Sequence, residues 1–94
     1  MSFDIAHLRE QGQDIIIVFV ASSFGSLGNV EQNKQRDALQ ACATSAKLAG
    51  HIVPVWKSGN TFSFIAPTEW QLFFKNSTWD GLCININKKL TCNF

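Results

Sequence analysis

The chain has 94 residues, which makes one domain, 1–94, with one modest core. It is 46% hydrophobic but only 16% charged, against roughly 25% charged in an average domain. The formal net charge of +1 excludes a strong electrostatic pull toward nucleic acid or an anionic membrane, and the weakly charged surface favours self-association.

Taken in chain order, the first predicted element is a short helix over about residues 4–11. Asp4 can cap it, Phe3 and Leu8 stand at staple positions, and Gly12 suits the left-handed residue past its end. Asp14 to Ala21 follows, with Ile15-Ile16-Ile17-Val18-Phe19-Val20 at its centre. Such an unbroken β-branched run predicts a central strand covered on both faces. Ser22 to Asn29 reads as a loop.

The longest helix is expected over about residues 30–49, capped by Asn29 with Gln32 and closed by Gly50. Its first two turns are polar. Beyond them Leu39, Cys42, Ala43, Ala46 and Ala49 form one apolar stripe, small enough to lie close on a sheet. The next strand, residues 51–56, carries Pro54, which cannot donate a ladder hydrogen bond and so predicts an edge position. Lys57-Ser58-Gly59-Asn60 is a hairpin turn into a return strand, Thr61 to Ala66, that Pro67 ends. Thr68 and Gln71 have capping-box spacing before a short helix whose apolar face is Trp70, Phe73 and Phe74. After a loop at residues 76–81, the alternation of Leu82, Ile84 and Ile86 with Cys83, Asn85 and Asn87 predicts a second edge strand.

Without the first helix this order is βαββαβ. It predicts an α+β, ferredoxin-like two-layer sandwich: a four-stranded antiparallel sheet with an extra short N-terminal helix. A three-layer arrangement with a parallel sheet competes, but it would want a further crossover helix where the tight Ser-Gly-Asn turn leaves no room.

Two stretches offer binding chemistry. A strand, a loop and a helix N-terminus can bind phosphate, because free N–H groups and the helix dipole converge there. Gly25 and Gly28 would allow close backbone approach, and Ser22, Ser23 and Ser26 would add hydroxyls. Neither the G-x-G-x-x-G spacing nor a Walker lysine is present. Asn60-Thr61-Phe62-Ser63-Phe64-Ile65, with Val18-Phe19-Val20, resembles the paired signatures of RNA-recognition-motif domains. That resemblance implies aromatics on an open sheet face, stacking on bases.

No catalytic or metal-binding constellation is visible. His7 and His51 are the only histidines, and the seven acids are scattered. Three cysteines (Cys42, Cys83 and Cys92) with no Cys-x-x-Cys argue against a disulfide framework or a zinc site. Neither a signal-peptide pattern nor a membrane-length apolar run is present, and Asn76-Ser77-Thr78 fits a glycosylation acceptor only in a secreted chain. These features predict a reduced cytoplasmic protein without cofactor or membrane contact.

Three Trp and eight Phe exceed what a domain of this size readily hides. The expected function is therefore a non-catalytic binding or assembly module, self-associating or meeting a protein partner through Trp56, Phe62, Phe64 and Trp79. Single-stranded nucleic-acid binding through the aromatic face is the first alternative. A phosphate-ligand binder or small enzyme using residues 22–29 is the second.

Overall fold

The computed structural model describes every residue except Gln11 and Phe94. The protein is α+β, built on a five-stranded mixed sheet. Its strands are β1 (Ser2–Glu10), β2 (Gln13–Phe19), β3 (His51–Ser58), β4 (Thr61–Phe64) and β5 (Lys88–Thr91), in spatial order β4-β3-β2-β1-β5. Only β2 and β3 are parallel, joined by α1 (Asn29–Ser45); the other neighbours are antiparallel. α2 (Gln71–Lys75) and α3 (Trp79–Cys83) lie in the segment that leaves β4 at one edge and reaches β5 at the other.

The ferredoxin-like, four-stranded antiparallel expectation is therefore corrected, and so is its two-layer form. Helices cover both faces. Ile5, Ile16, Val18, Ile52 and Leu90 pack with Leu39 and Ala43 of α1 on one face. Ala6, Ile15, Ile17, Val53 and Val55 pack with Trp70, Phe74 and Leu82 on the other. The run at Ile15 to Val18 is fully buried between these layers, as its continuous apolar sequence predicts.

The expected N-terminal helix is strand β1. Gly12, at φ 74°, turns the chain into a hairpin instead of closing a helix, and Ile5 pairs with Val18 and Leu8 with Ile15. Alternation decides the outcome: Phe3 and Ile5 serve one core and Ala6 and Leu8 the other. Gln11, which the helix reading included, lies outside the described residues.

Pro54 is not on an edge. β3 runs between β2 and β4, with Val18 opposite Pro54 and Val55 opposite Phe64. The Val55 carbonyl faces β2 and accepts from the Val20 amide at 3.0 Å, while the Pro54 carbonyl faces the β4 side and accepts from the Ile65 amide at 3.1 Å. Within a strand the N–H and C=O of one residue point the same way. The missing donor therefore points to where four-residue β4 has just ended, and the proline costs the β2 ladder nothing.

The strand expected at 82–87 is also absent. Thr78 caps α3, its hydroxyl accepting from the Gly81 amide at 3.0 Å, and the chain reaches β5 only at Lys88. The apparent alternation does not describe one buried face: Leu82 is buried, but Ile84 is 84% exposed.

α1 starts one residue earlier and ends four residues sooner than expected. Its N-cap is Gly28 rather than Asn29, and Ala46 and Ala49 of the stripe are exposed. The terminus is not closed by Gly50. Lys47 takes the left-handed conformation at φ 62°, its amide donating to Thr44 O and that of Leu48 to Ala43 O, both at 3.0 Å. This is a Schellman closure with lysine where glycine is usual. Gly50, at φ 127°, is required for another reason: a Cβ there would stand 2.9 Å from the Asp14 backbone.

Cys42 of α1 and Cys92 beyond β5 form a disulfide, their Cα atoms 5.8 Å apart. Parity hid it, because the odd cysteine is Cys83. The bond removes the premise of all-reduced thiols on which the cytoplasmic expectation rested. Among the described residues no helix is long and apolar enough to cross a membrane.

Candidate functional site

The segment expected to cradle phosphate folds into a 3-10 turn at Ser22–Ser26. The Phe24 amide donates to Ala21 O at 2.9 Å and the Leu27 amide to Phe24 O at 3.2 Å, so these donors are used within the turn. Gln32 reaches back from α1 to the same Phe24 carbonyl at 3.0 Å. Glu31 already occupies the first turn of α1, where it answers the helix dipole. Ser22, Ser23 and Ser26 are exposed on the turn.

Gly25 serves packing rather than anion approach. A Cβ there would lie 2.6 Å from Trp56 Nε1. The glycine lets the turn close over the indole, which is buried against Phe24 with ring centroids 4.8 Å apart. A Cβ on Gly28 would meet nothing within 4 Å.

Beside the turn lies a crevice of about 530 Å³. It opens beyond the carboxyl end of β2, the place where open α/β sheets commonly take ligands. Phe3 at the start of β1, Val20 after β2, and Phe24 and Leu27 form apolar walls. Ala38 and Leu39 of α1 continue them, with Gln35 and Lys34 toward the helix start. Of the lining side chains only Lys34 is charged, and no carboxylate among the described residues pairs with it. The volume falls within the roughly 300–1,000 Å³ usual for small-molecule sites. At this end α1 is polar, and its first buried side chain is Leu39.

The four expected contact residues do not form one exposed patch. Trp56 is buried on the α1 side. Phe62, Phe64 and Trp79 lie half-buried on the opposite face. Phe64 stacks on Phe74 at 5.1 Å, and Trp79 meets Phe19 edge-on at 5.5 Å and Phe62 at 6.3 Å. The aromatic strand is thus covered by the chain's own short helices.

Near that cluster Lys57, Asn60, Trp79 and Asp80 border a smaller hollow of about 270 Å³. Cys83, on the same helix as Asp80, is a free thiol whose pKa is raised by burial and then by the Asp80 carboxylate, with Lys57 acting in the opposite sense. Such a shift makes a weaker nucleophile at neutral pH. Among the described residues, no group of three or more His, Cys, Asp or Glu side chains could hold a metal ion.

Sequence reasoning located the loop but missed the walls. Phe3 and Leu39 come from elements far apart in the chain, and only the register of β1 brings them to one hollow. Against known proteins, no family model matches the chain, and neither a curated protein nor a solved structure does.

Proposed function

We propose that the protein is a non-catalytic binding module whose working surface is the crevice between the 3-10 turn and α1. Its ligand class is a small, largely apolar molecule bearing one anionic group. The observation that carries this reading is the crevice itself: about 530 Å³, apolar walls and one lysine. Ser23 and Lys34 are the nucleophile-capable side chains of its lining, and no His, Cys, Asp or Glu stands in that lining to activate them. This reading keeps the segment 22–29 as part of the site and replaces phosphate recognition by backbone amides with apolar enclosure.

Thermal unfolding with octanoate and octanol tests it. A ligand at about 100 times its Kd adds about 2.7 kcal/mol, a shift of several degrees for a domain of this size. Octanoate is expected to raise the melting temperature more than octanol does. Lys34→Gln should bring octanoate down to the octanol level and leave octanol unchanged. A flat response to both probes refutes the crevice as a binding site.

A second reading, self-association, is favoured by a separate observation. Leu72 of α2 and Ile84 after α3 are 70% and 84% exposed, on a surface with few charges to oppose contact. These residues, rather than Trp56, would be the anchors. Light scattering at high concentration should then show a dimer that Ile84→Asp dissociates, and a monomer throughout counts against it. The nucleic-acid alternative has less support, because Phe64 already stacks on Phe74 and Phe62 lies against Trp79.

A further inference from the structure

We infer that the Cys42–Cys92 disulfide is a redox latch on the crevice: its reduction frees β5 and loosens the wall formed by the start of β1. The inference rests on the crevice being the working site. The two walls belong to different elements, and the bond ties them together. Leu39 lines one wall, and Cys42 follows it by one turn on the same face of α1. Phe3 lines the other wall, and β5 holds it in place. Leu90 stands opposite Phe3, Thr91 opposite Ser2, and the Cys92 amide donates to the Met1 carbonyl at 2.7 Å.

Apart from the ladder, β5 is held mainly by largely exposed polar contacts: Ser2 Oγ with Thr91 Oγ1 at 3.0 Å, the Met1 ammonium donating to the Cys92 carbonyl at 2.7 Å, and the Asn87 side chain bonded to the His7 backbone just before the strand. The strand has four residues, sits at the edge of the sheet, and buries only Leu90. Its ion pair, Lys89 to Asp4 at 3.2 Å, is solvent-exposed and weak. Short edge elements with few buried contacts open at low cost. The disulfide offsets that weakness by closing a chain separation of 50 residues.

The chemistry balances with a dithiol as reductant. One of its thiolates attacks the sulfur of Cys42, the less buried of the two residues. The Cys92 sulfur leaves as thiolate and takes a proton. The second thiol of the reductant then closes on the mixed disulfide, releasing Cys42 as a thiol. Two electrons pass to the protein and the reductant departs as its own disulfide. Cys83 lies on α3, against the other face of the sheet, and takes no part.

The test compares oxidised protein, dithiothreitol-reduced protein and the Cys42→Ser/Cys92→Ser double variant. Octanoate affinity is read by calorimetry and backbone exposure by hydrogen exchange. Reduction should weaken octanoate binding about tenfold, within the range of ordinary site-to-site coupling. Exchange should accelerate at the amides of β5 and at the start of β1 while those of β2 and β3 keep their protection. The double variant should match the reduced protein. Equal affinity and equal exchange in both redox states overturn the latch, as does a double variant that behaves like the oxidised form. Uniform acceleration through β2 and β3 also overturns it, since the bond would then be a staple for the whole fold. Absence of octanoate binding to the oxidised protein overturns the crevice reading by itself, because the exchange pattern still reads the latch.

Discussion

The two faces of the sheet are closed by opposite means. On one, a single helix of 17 residues lays small aliphatic side chains on the strands and is tied down covalently through Cys42. On the other, two helices of five residues each, too short to persist alone, are held by rings. Phe64 on Phe74, Phe73 on Phe74 and Trp79 on Phe19 supply the contacts. The difference shows that helix length and side-chain size trade against each other. A long helix with small residues covers the sheet but leaves a hollow at its polar end. Short helices with large rings leave little space and take their position from the side chains.

This contrast can be broken at the ring cluster. Phe74 is fully buried between Phe64 and Phe73, so Phe74→Ala should cost about 3–5 kcal/mol. At roughly 4–8 °C per kcal/mol for small domains, the melting temperature should fall by more than about 12 °C in a calorimetric scan. Leu39→Ala, on the disulfide-bonded face, should cost less within its own range of about 2–5 kcal/mol, because the adjoining crevice lets neighbours relax. Equal losses at the two sites would remove the distinction.

A smaller effect is expected where the 3-10 turn meets β3. Gly25→Ala places a methyl group against the Trp56 indole, and overpacking of this kind costs about 1–3 kcal/mol. It should also shift tryptophan emission as the indole is pushed toward solvent. An unchanged spectrum and stability would mean that Phe24, not the close approach of Gly25, holds the turn.

The smallest change should be a gain. Lys47 holds a left-handed conformation that costs a non-glycine residue about 1–2 kcal/mol. Lys47→Gly should stabilise the protein by about 0.5–1 kcal/mol, part of the relief being lost to the freer unfolded chain. Urea denaturation resolves a difference of that size. A loss of stability would show that the lysine side chain contributes to the closure of α1.

Much of this architecture can be read locally. The Ile15–Val18 run says buried strand, Gly59 at φ 60° turns the predicted hairpin, and the stripe at Leu39 and Ala43 faces the core. Residues 4–11 read as a helix because Phe3 and Leu8 fit a helix staple as well as a strand. The partners that choose between them are β2 and, more than 80 positions away, β5. Lys88-Lys89-Leu90-Thr91 gives almost no strand signal, since one buried leucine is all that an edge strand of four residues requires. Residues 82–87 give a false one, because a capped turn of helix and its exit repeat the same spacing by accident. The candidate site shared this fate: Ser22 to Gly28 stood out in the sequence, but Phe3 and Leu39 did not.

What the chain's order of residues settles alone is a set of local features: the buried Ile15–Val18 run, the Gly59 hairpin turn, most of the long helix and the low charge. Tertiary structure decided the rest: that Pro54 lies inside the sheet, that Cys42 meets Cys92, and that the start of β1, paired to β5, completes the crevice wall. The reason is physical. A strand's place depends on hydrogen-bonding partners and on which face is already covered, and both are supplied by segments whose distance along the chain leaves no local trace.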